Sequence, residues 1–314
     1  MSNWQIFQGN NQPHDRISDL PPPPPWRSAT RQTQQRGATF RASADEIELV
    51  NAALYLRRPL LVTGKPGTGK SSLAYAIAHE LQLGEVLVWP ITTRTTLQDG
   101  LYRYDAIARL RDVQREGEDD PNDIGKYIRL GALGTALLPQ KRPRVLLIDE
   151  IDKSDIDLPN DLLNIFEEGE FEIPELVRIR DQQATVTVAT HDREHPTTAE
   201  ISRGLVVKQE FPLVILTSNG EREFPPAFLR RCLRLDMREP SRDALSEIVK
   251  AHLGEDVLPE AEKLINEFLE RRNQGSLATD QLLNALYLII QDRSPSEEEL
   301  QRLRDRLFQS LTEL

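Results

Sequence analysis

The residues with most to say about chemistry are Gly64-Lys65-Pro66-Gly67-Thr68-Gly69-Lys70-Ser71, which satisfy the pattern G-x-x-x-x-G-K-[ST] at every constrained position. Glycines at 64, 67 and 69 let the backbone curl until several N–H groups point inward, and such a concavity at the start of a helix suits a polyphosphate. In this pattern Lys70 reaches the β and γ phosphates and Ser71 sets its hydroxyl on Mg²⁺, with Lys65, Pro66, Thr68 and Ser72 completing the cradle. The plainer reading is a glycine-rich turn ahead of a helix. Its flanks favour the chemistry: Leu60-Leu61-Val62-Thr63 reads as a short buried strand, and Leu73, Ile77 and Leu81 recur at helical spacing.

About 80 residues later, Val145-Leu146-Leu147-Ile148 runs into Asp149-Glu150. Four strand-type residues ending in two acids fit a central parallel strand that delivers carboxylates to the carboxyl edge of its sheet. Neighbouring strand residues face opposite ways, so the two acids take different jobs. Asp149 is suited to hold Mg²⁺ through its water shell, and Glu150 to polarise an attacking water. A third buried strand, Leu213 to Ser218, ends at Asn219, which can hold that water or the γ phosphate from the other side. Arg230 and Arg231, just ahead of a strand at Leu233 to Met237, are either a solvated helix end or a charge-neutralising finger. His191 and His195 lie near Asp192 and Glu194, but the group lacks metal-site spacing.

The elements that must position these residues follow from periodicity. Ser43 and Glu46 form a capping box that opens a helix carrying Ile47, Val50 and Leu54. Val86 to Trp89 reads as a strand ended by Pro90, residues 92–110 as a polar stretch, and 116–123 as an acidic loop. A helix over Asp161 to Glu168 stops at Gly169, and strand-like pieces between Phe171 and Phe211 suggest a hairpin insertion outside the core. From Ser241 onward three amphipathic helical segments appear, then a last helix announced by Ser294-Pro295-Ser296-Glu297. Residues 1–40 form a proline-rich arm. Pro21 to Pro25 favour an extended rod, a spacer or flexible tail, although Trp4, Phe7 and Trp26 also suit docking onto a domain or partner. The expected organisation is thus an arm over 1–40, an α/β nucleotide-binding domain over 41–240 with its insertion near 171–211, and an all-α lid over 241–314.

The 314 residues include 39 Lys and Arg against 50 Asp and Glu, and the resulting net charge of -11 argues against a broad nucleic-acid surface. Arg94 and Arg203 leave a nucleic-acid motor as a minor alternative. The single cysteine, Cys232, precludes an internal disulfide, and no apolar run approaches a membrane span, so a cytoplasmic protein is expected.

Taken in order, the phosphate loop, Asp149-Glu150, Asn219 and Arg230-Arg231 resemble an AAA+ ATPase, and within that class the MoxR-type branch. The resemblance covers residues 43–291, and Leu146 to Lys153 is among its more specific parts. It implies a P-loop NTPase fold, a parallel sheet flanked by helices and followed by a small all-α lid. Lys70 and Ser71 then stand in Walker A, Asp149 and Glu150 in Walker B, Asn219 at sensor 1, and Arg231 at the trans-acting finger with Arg230 as runner-up. The implied cofactors are ATP and Mg²⁺. The implied assembly is a ring, usually a hexamer, that remodels or activates a protein partner, often one with a von Willebrand A domain. Related genes in bacterial defence modules suggest an alternative, a nucleotide-dependent switch or scaffold with slow turnover. One match fails: Gly275 to Asp280 offers no sensor 2 arginine, leaving Arg271 or Arg272 as substitutes or no cation at all.

Overall fold

The computed structural model describes residues 4–27, 32–116, 121–193, 197–275, 277–291 and 295–309. They fall into two compact units, one of Ala42–Gly64 with Lys70–Met237, the other of Met1–Arg41, Lys65–Gly69 and Arg238–Leu314. No described helix is long and apolar enough to cross a membrane.

In chain order, helix α1 (Gln32–Thr39) precedes α2 (Ala44–Leu56). The expected capping box starts α2: Glu46 N–H donates to Ser43 Oγ, and Ser43 N–H donates to Glu46 Oε2 at 2.8 Å. The helix buries Glu46, Val50 and Ala53, whereas Ile47, expected on the inner face, is 53% exposed. Arg57 in the left-handed region ends α2 and turns the chain into β1 (Leu60–Thr63). There follow α3 (Lys70–Glu80), β2 (Leu87–Pro90), α4 (Leu97–Leu101), β3 (Tyr102–Tyr104), α5 (Ala106–Glu116), β4 (Ile128–Leu130), α6 (Ala132–Ala136) and β5 (Val145–Asp149). Next come α7 (Leu158–Glu168), β6 (Glu170–Glu172), α8 (Pro174–Ile179), β7 (Thr185–Ala189), β8 (Thr198–Ser202), β9 (Leu205–Val207), β10 (Leu213–Ser218), α9 (Pro226–Arg231) and β11 (Leu233–Asp236). The chain closes with α10 (Arg242–Leu253), α11 (Leu258–Arg272), α12 (Thr279–Ile289) and α13 (Glu297–Leu307).

The first unit is built on a five-stranded parallel sheet in the order β11-β1-β10-β5-β2. All six residues of β10 are buried, as a strand covered on both faces requires. Its register places Thr63 beside Ser218 and Leu216 beside Ile148, so the carboxyl ends of β1, β10 and β5 lie in a row. Parallel strands need crossover connections, and these put the loops that follow β1, β5 and β10 on one edge.

A second, six-stranded sheet runs β3-β4-β7-β8-β9-β6, with β7 and β8 forming an antiparallel hairpin. Contrary to the expectation that residues 171–211 lie outside the core, Phe171, Val186, Val188, Ile201 and Val206 are buried in the same cluster as Leu146, Ile148 and Leu216. The polar stretch at 92–110 also turns out to be structured. Thr96 and Asp99 cap α4 reciprocally, and α5 follows.

The other unit is helical. Leu245, Val249, Leu264, Phe268, Leu282, Leu286 and Phe308 form its core across α10 to α13. The N-cap of α13 is Ser296, boxed with Glu299; Ser294 lies outside the described residues. The arm packs here: Trp26 meets Tyr287 and His252 edge-on at 5.8 and 5.9 Å, its indole N–H donates to Asn284 Oδ1 at 3.3 Å, and the Tyr287 hydroxyl donates to the Pro22 carbonyl. Residues 22–26 therefore make docking contacts, the second of the two roles their composition allowed.

Candidate nucleotide site

Gly64 directly follows β1, and Lys70 is the first residue of α3. The three loop glycines have φ of 147°, 76° and 95° at positions 64, 67 and 69, a backbone path that side chains resist. Lys70 is 8% exposed, and its ammonium donates to the Gly64 carbonyl at 2.7 Å, across the mouth of the loop. Burial pushes its pKa below the ordinary lysine value, while Asp152, Asp149 and Glu150 pull it the other way.

Those acids arrive from β5. Asp149 Oδ1 accepts hydrogen bonds from Ser71 Oγ at 2.7 Å and from Thr217 Oγ1 at 2.6 Å. The same threonine oxygen accepts from the Glu150 N–H at 2.9 Å, so Thr217 ties β10 to both acids. Glu150 stands just past the strand with φ 61°, a left-handed conformation uncommon for a non-glycine residue and often found at functional sites. Its Oε2 accepts from Lys153 Nζ at 2.8 Å, one turn of 3-10 helix further on, and this contact raises the pKa of Lys153. Asn219 follows β10, and its N–H donates to Asp152 Oδ2 at 2.8 Å.

Lys70, Ser71, Asp149, Glu150 and Asn219 thus sit on one edge of one sheet. Ser72 is half-buried in the first turn of α3. Lys65, Pro66, Gly67, Thr68 and Gly69 group with the helical unit. There Lys65 pairs with Glu239 at 3.2 Å, and Thr68 Oγ1 donates to the Lys65 carbonyl at 2.9 Å. A Cβ on Gly67 would lie 2.3 Å from Ala278 Cβ, so only glycine fits that contact. Ala278 belongs to the Gly275 to Asp280 stretch, which contains no arginine. Of the two arginines named as substitutes, Arg271 bonds Asp305 and Glu267 at 2.6 and 2.7 Å, and Arg272 donates to the Pro240 carbonyl at 3.0 Å.

Arg230 and Arg231 end α9. Arg58 holds their backbone by donating to both carbonyls, at 3.0 Å for Arg231. The Arg231 guanidinium pairs with Glu167 of α7, while Arg230 is exposed. The adjacent Cys232 is 6% exposed, and burial pushes its thiol up to about 12. Since the thiolate is the reactive form, Cys232 should resist alkylation by iodoacetamide at pH 8 in the folded chain and react promptly in denaturant. Equal rates in both states, measured by mass spectrometry, would contradict this placement. His191 is half-buried, with its pKa lowered chiefly by burial, and its backbone N–H donates to Thr135 Oγ1 at 2.9 Å; His195 lies outside the described residues.

The profile of the family described as AAA domain (dynein-related subfamily) matches residues 59–232, more than half of the chain and the whole stretch from β1 to Cys232. The chain belongs to this family. Its parallel sheet, phosphate loop and following helical unit are those of an AAA+ α/β core with an all-α lid, a nucleotide-binding fold. A solved structure of C. elegans PCH-2 is similar at 16% identity over 88% of this chain and 66% of that one, with a TM-score of 0.41. The chain therefore spans about two thirds of the length of that protein. No curated protein matches it.

Within this AAA domain, three site residues escaped the sequence reading: Thr217, Asp152 and Lys153. Thr217 had a signal, being with Ser218 one of two hydroxyls that end an otherwise apolar strand just before Asn219. Asp152 and Lys153 lie inside the distinctive Leu146 to Lys153 segment, but their partners, Asn219 and Glu150, are set by the turn rather than by spacing along a strand.

Proposed function

We propose that this AAA domain protein is a MoxR-type, ring-forming ATPase that hydrolyses ATP between subunits to remodel or activate a partner protein. The observation that carries the reading is the meeting of Ser71, Thr217 and Asp149 within 2.7 Å at the sheet edge where Lys70 and Glu150 also stand. This all-oxygen group fits Mg²⁺, which prefers such donors and keeps several waters. Ser71 and Asp149 would hold the ion, which when bound neutralises phosphate charge. Lys70 cradles the β and γ phosphates with the backbone of residues 64–69, Glu150 orients and deprotonates water, and Asn219 fixes that water or the γ phosphate from the β10 side. Arg231 of a neighbouring copy, with Arg230 beside it, neutralises charge on the phosphoryl group as it departs. Residues 41–240 form the ATPase core and 241–314 the lid, whose movement does the work; a partner with a von Willebrand A domain suits this branch.

Calorimetric titration with ATP and Mg²⁺ tests the site. Lys70→Ala should weaken binding about tenfold or more, since hydrogen bonds to a charged group contribute about 1.5–3 kcal/mol. Chelating the metal should stop hydrolysis. A wild-type chain that binds no nucleotide, or a Lys70→Ala variant that binds as well as wild type, would contradict the reading.

One observation favours a second reading, a nucleotide-dependent switch with slow turnover: Glu150 is engaged by Lys153. Partner activation that persists in Glu150→Gln would favour the switch; its loss favours the motor.

A further inference from the structure

The single 3-10 turn Ile151–Lys153 follows the two acids, and its middle residue, Asp152, is 5% exposed. The Oδ2 atom accepts two backbone N–H groups from the loop after β10, Asn219 at 2.8 Å and Glu221 at 3.1 Å. The other oxygen, Oδ1, is buried with no hydrogen-bond partner among the described residues. Arg222 of the same loop donates to the Ser154 carbonyl at 2.7 Å, to Ser154 Oγ at 3.3 Å and to the Asp155 carbonyl at 3.2 Å. The segment that carries Asn219 is therefore stitched to the segment that follows Glu150.

A buried carboxylate with one orphaned oxygen is an expensive way to hold a turn and a loop together, since an apolar pair of the same shape costs less. What the carboxylate adds is direction. Two charge-assisted bonds to one oxygen fix the backbone of Asn219 in a loop that continues into Gly220 at φ 80° and has no strand ladder to hold it.

We propose that Asp152 is a positioning residue whose carboxylate fixes Asn219 relative to Glu150, so that the two approach the attacking water from set directions; its role in turnover rests on the ATPase reading above. In this role Asp152 acts through Asn219 and not on the nucleotide. Its charge also lies near Lys70, which gives a rival explanation for any loss of activity.

The test uses the 314-residue chain with Asp152→Ala, Asp152→Asn, Asn219→Ala and the Asp152→Ala/Asn219→Ala double variant, each checked for folding by thermal melt. Misplacing a reacting group by about 1 Å can cost about 10²-fold. Asp152→Ala should therefore lower kcat about that much with KM for ATP unchanged. The double variant should be no slower than Asn219→Ala, because one substitution has already removed what the other positions. Asp152→Asn keeps an acceptor oxygen and should recover most of the rate. Losses that multiply in the double variant, or an Asp152→Asn as slow as Asp152→Ala, would overturn the proposal in favour of the charge on Lys70 or of general destabilisation. Amide hydrogen exchange at Asn219 and Glu221, read by NMR without nucleotide, should quicken in Asp152→Ala and stay slow in Asp152→Asn. Unchanged exchange in Asp152→Ala overturns the proposal whatever the ATPase assay shows. A wild-type chain lacking hydrolysis sensitive to Glu150→Gln contradicts the ATPase reading alone.

Discussion

Arg231→Ala is expected to lower the turnover number for ATP by about 10³- to 10⁵-fold, the usual worth of a cation supplied to the transferring phosphoryl group from outside the site. Arg230→Ala should do much less. The two arginines are adjacent on α9 but differently held: Arg231 is oriented by Glu167, whereas the Arg230 side chain is exposed. A guanidinium already pointed by a neighbour loses less freedom when it engages a phosphate. The Arg231–Glu167 pair is itself half-exposed and holds the side chain by no more than about 1 kcal/mol, so a more strongly charged partner can take it over. Glu167→Gln should therefore leave hydrolysis largely intact. Steady-state rates for the three variants check this ranking, and a larger loss in Arg230→Ala would transfer the finger role to that residue.

Glu150→Gln should lower turnover by about 10²- to 10⁴-fold, the range for removing a general base, while leaving ATP affinity close to wild type. The amide keeps the size and the left-handed backbone of Glu150, and its N–H still meets Thr217. What goes is the basic oxygen and the attraction for Lys153. The variant should retain ATP through gel filtration, where wild type carries ADP. Loss of binding in place of turnover would mean that Glu150 holds the metal or the nucleotide instead of water.

Much of this site could be read from the chain before any fold was known, because its signals are local. The glycine spacing of the phosphate loop, the acids closing an apolar strand, the Ser43–Glu46 box and the Gly169 stop of α7 each need only a few consecutive residues. The second sheet was less legible. Strands β3, β4, β6 and β9 have three residues each, too few for alternation to declare itself, and β4 pairs with β7 across nearly 60 residues of chain. Helix α4 is short, yet Thr96 and Asp99 stand at capping-box spacing and could have announced it. Ile47 fits the helical stripe of α2 but lies outward, since periodicity says which residues share a face and not whether anything covers it. Trp26 could not be placed from composition because its partners, Tyr287, His252 and Asn284, are more than 200 residues away. Asp152 is the instructive case: inside a recognisable motif, its role depends on a backbone N–H of β10's loop that no pattern in its own segment encodes.

The central claim is that one copy supplies Glu150 and the next supplies Arg231 to the same ATP, and mixing two inactive variants tests it most directly. Glu150→Gln and Arg231→Ala should each be nearly inert alone, and combining them at concentrations where the chain self-associates should restore hydrolysis. The restored rate should fall again on dilution. Two silent variants that stay silent when mixed under conditions where they demonstrably co-assemble, or an Arg231→Ala protein as active as wild type at every concentration, would contradict a shared site.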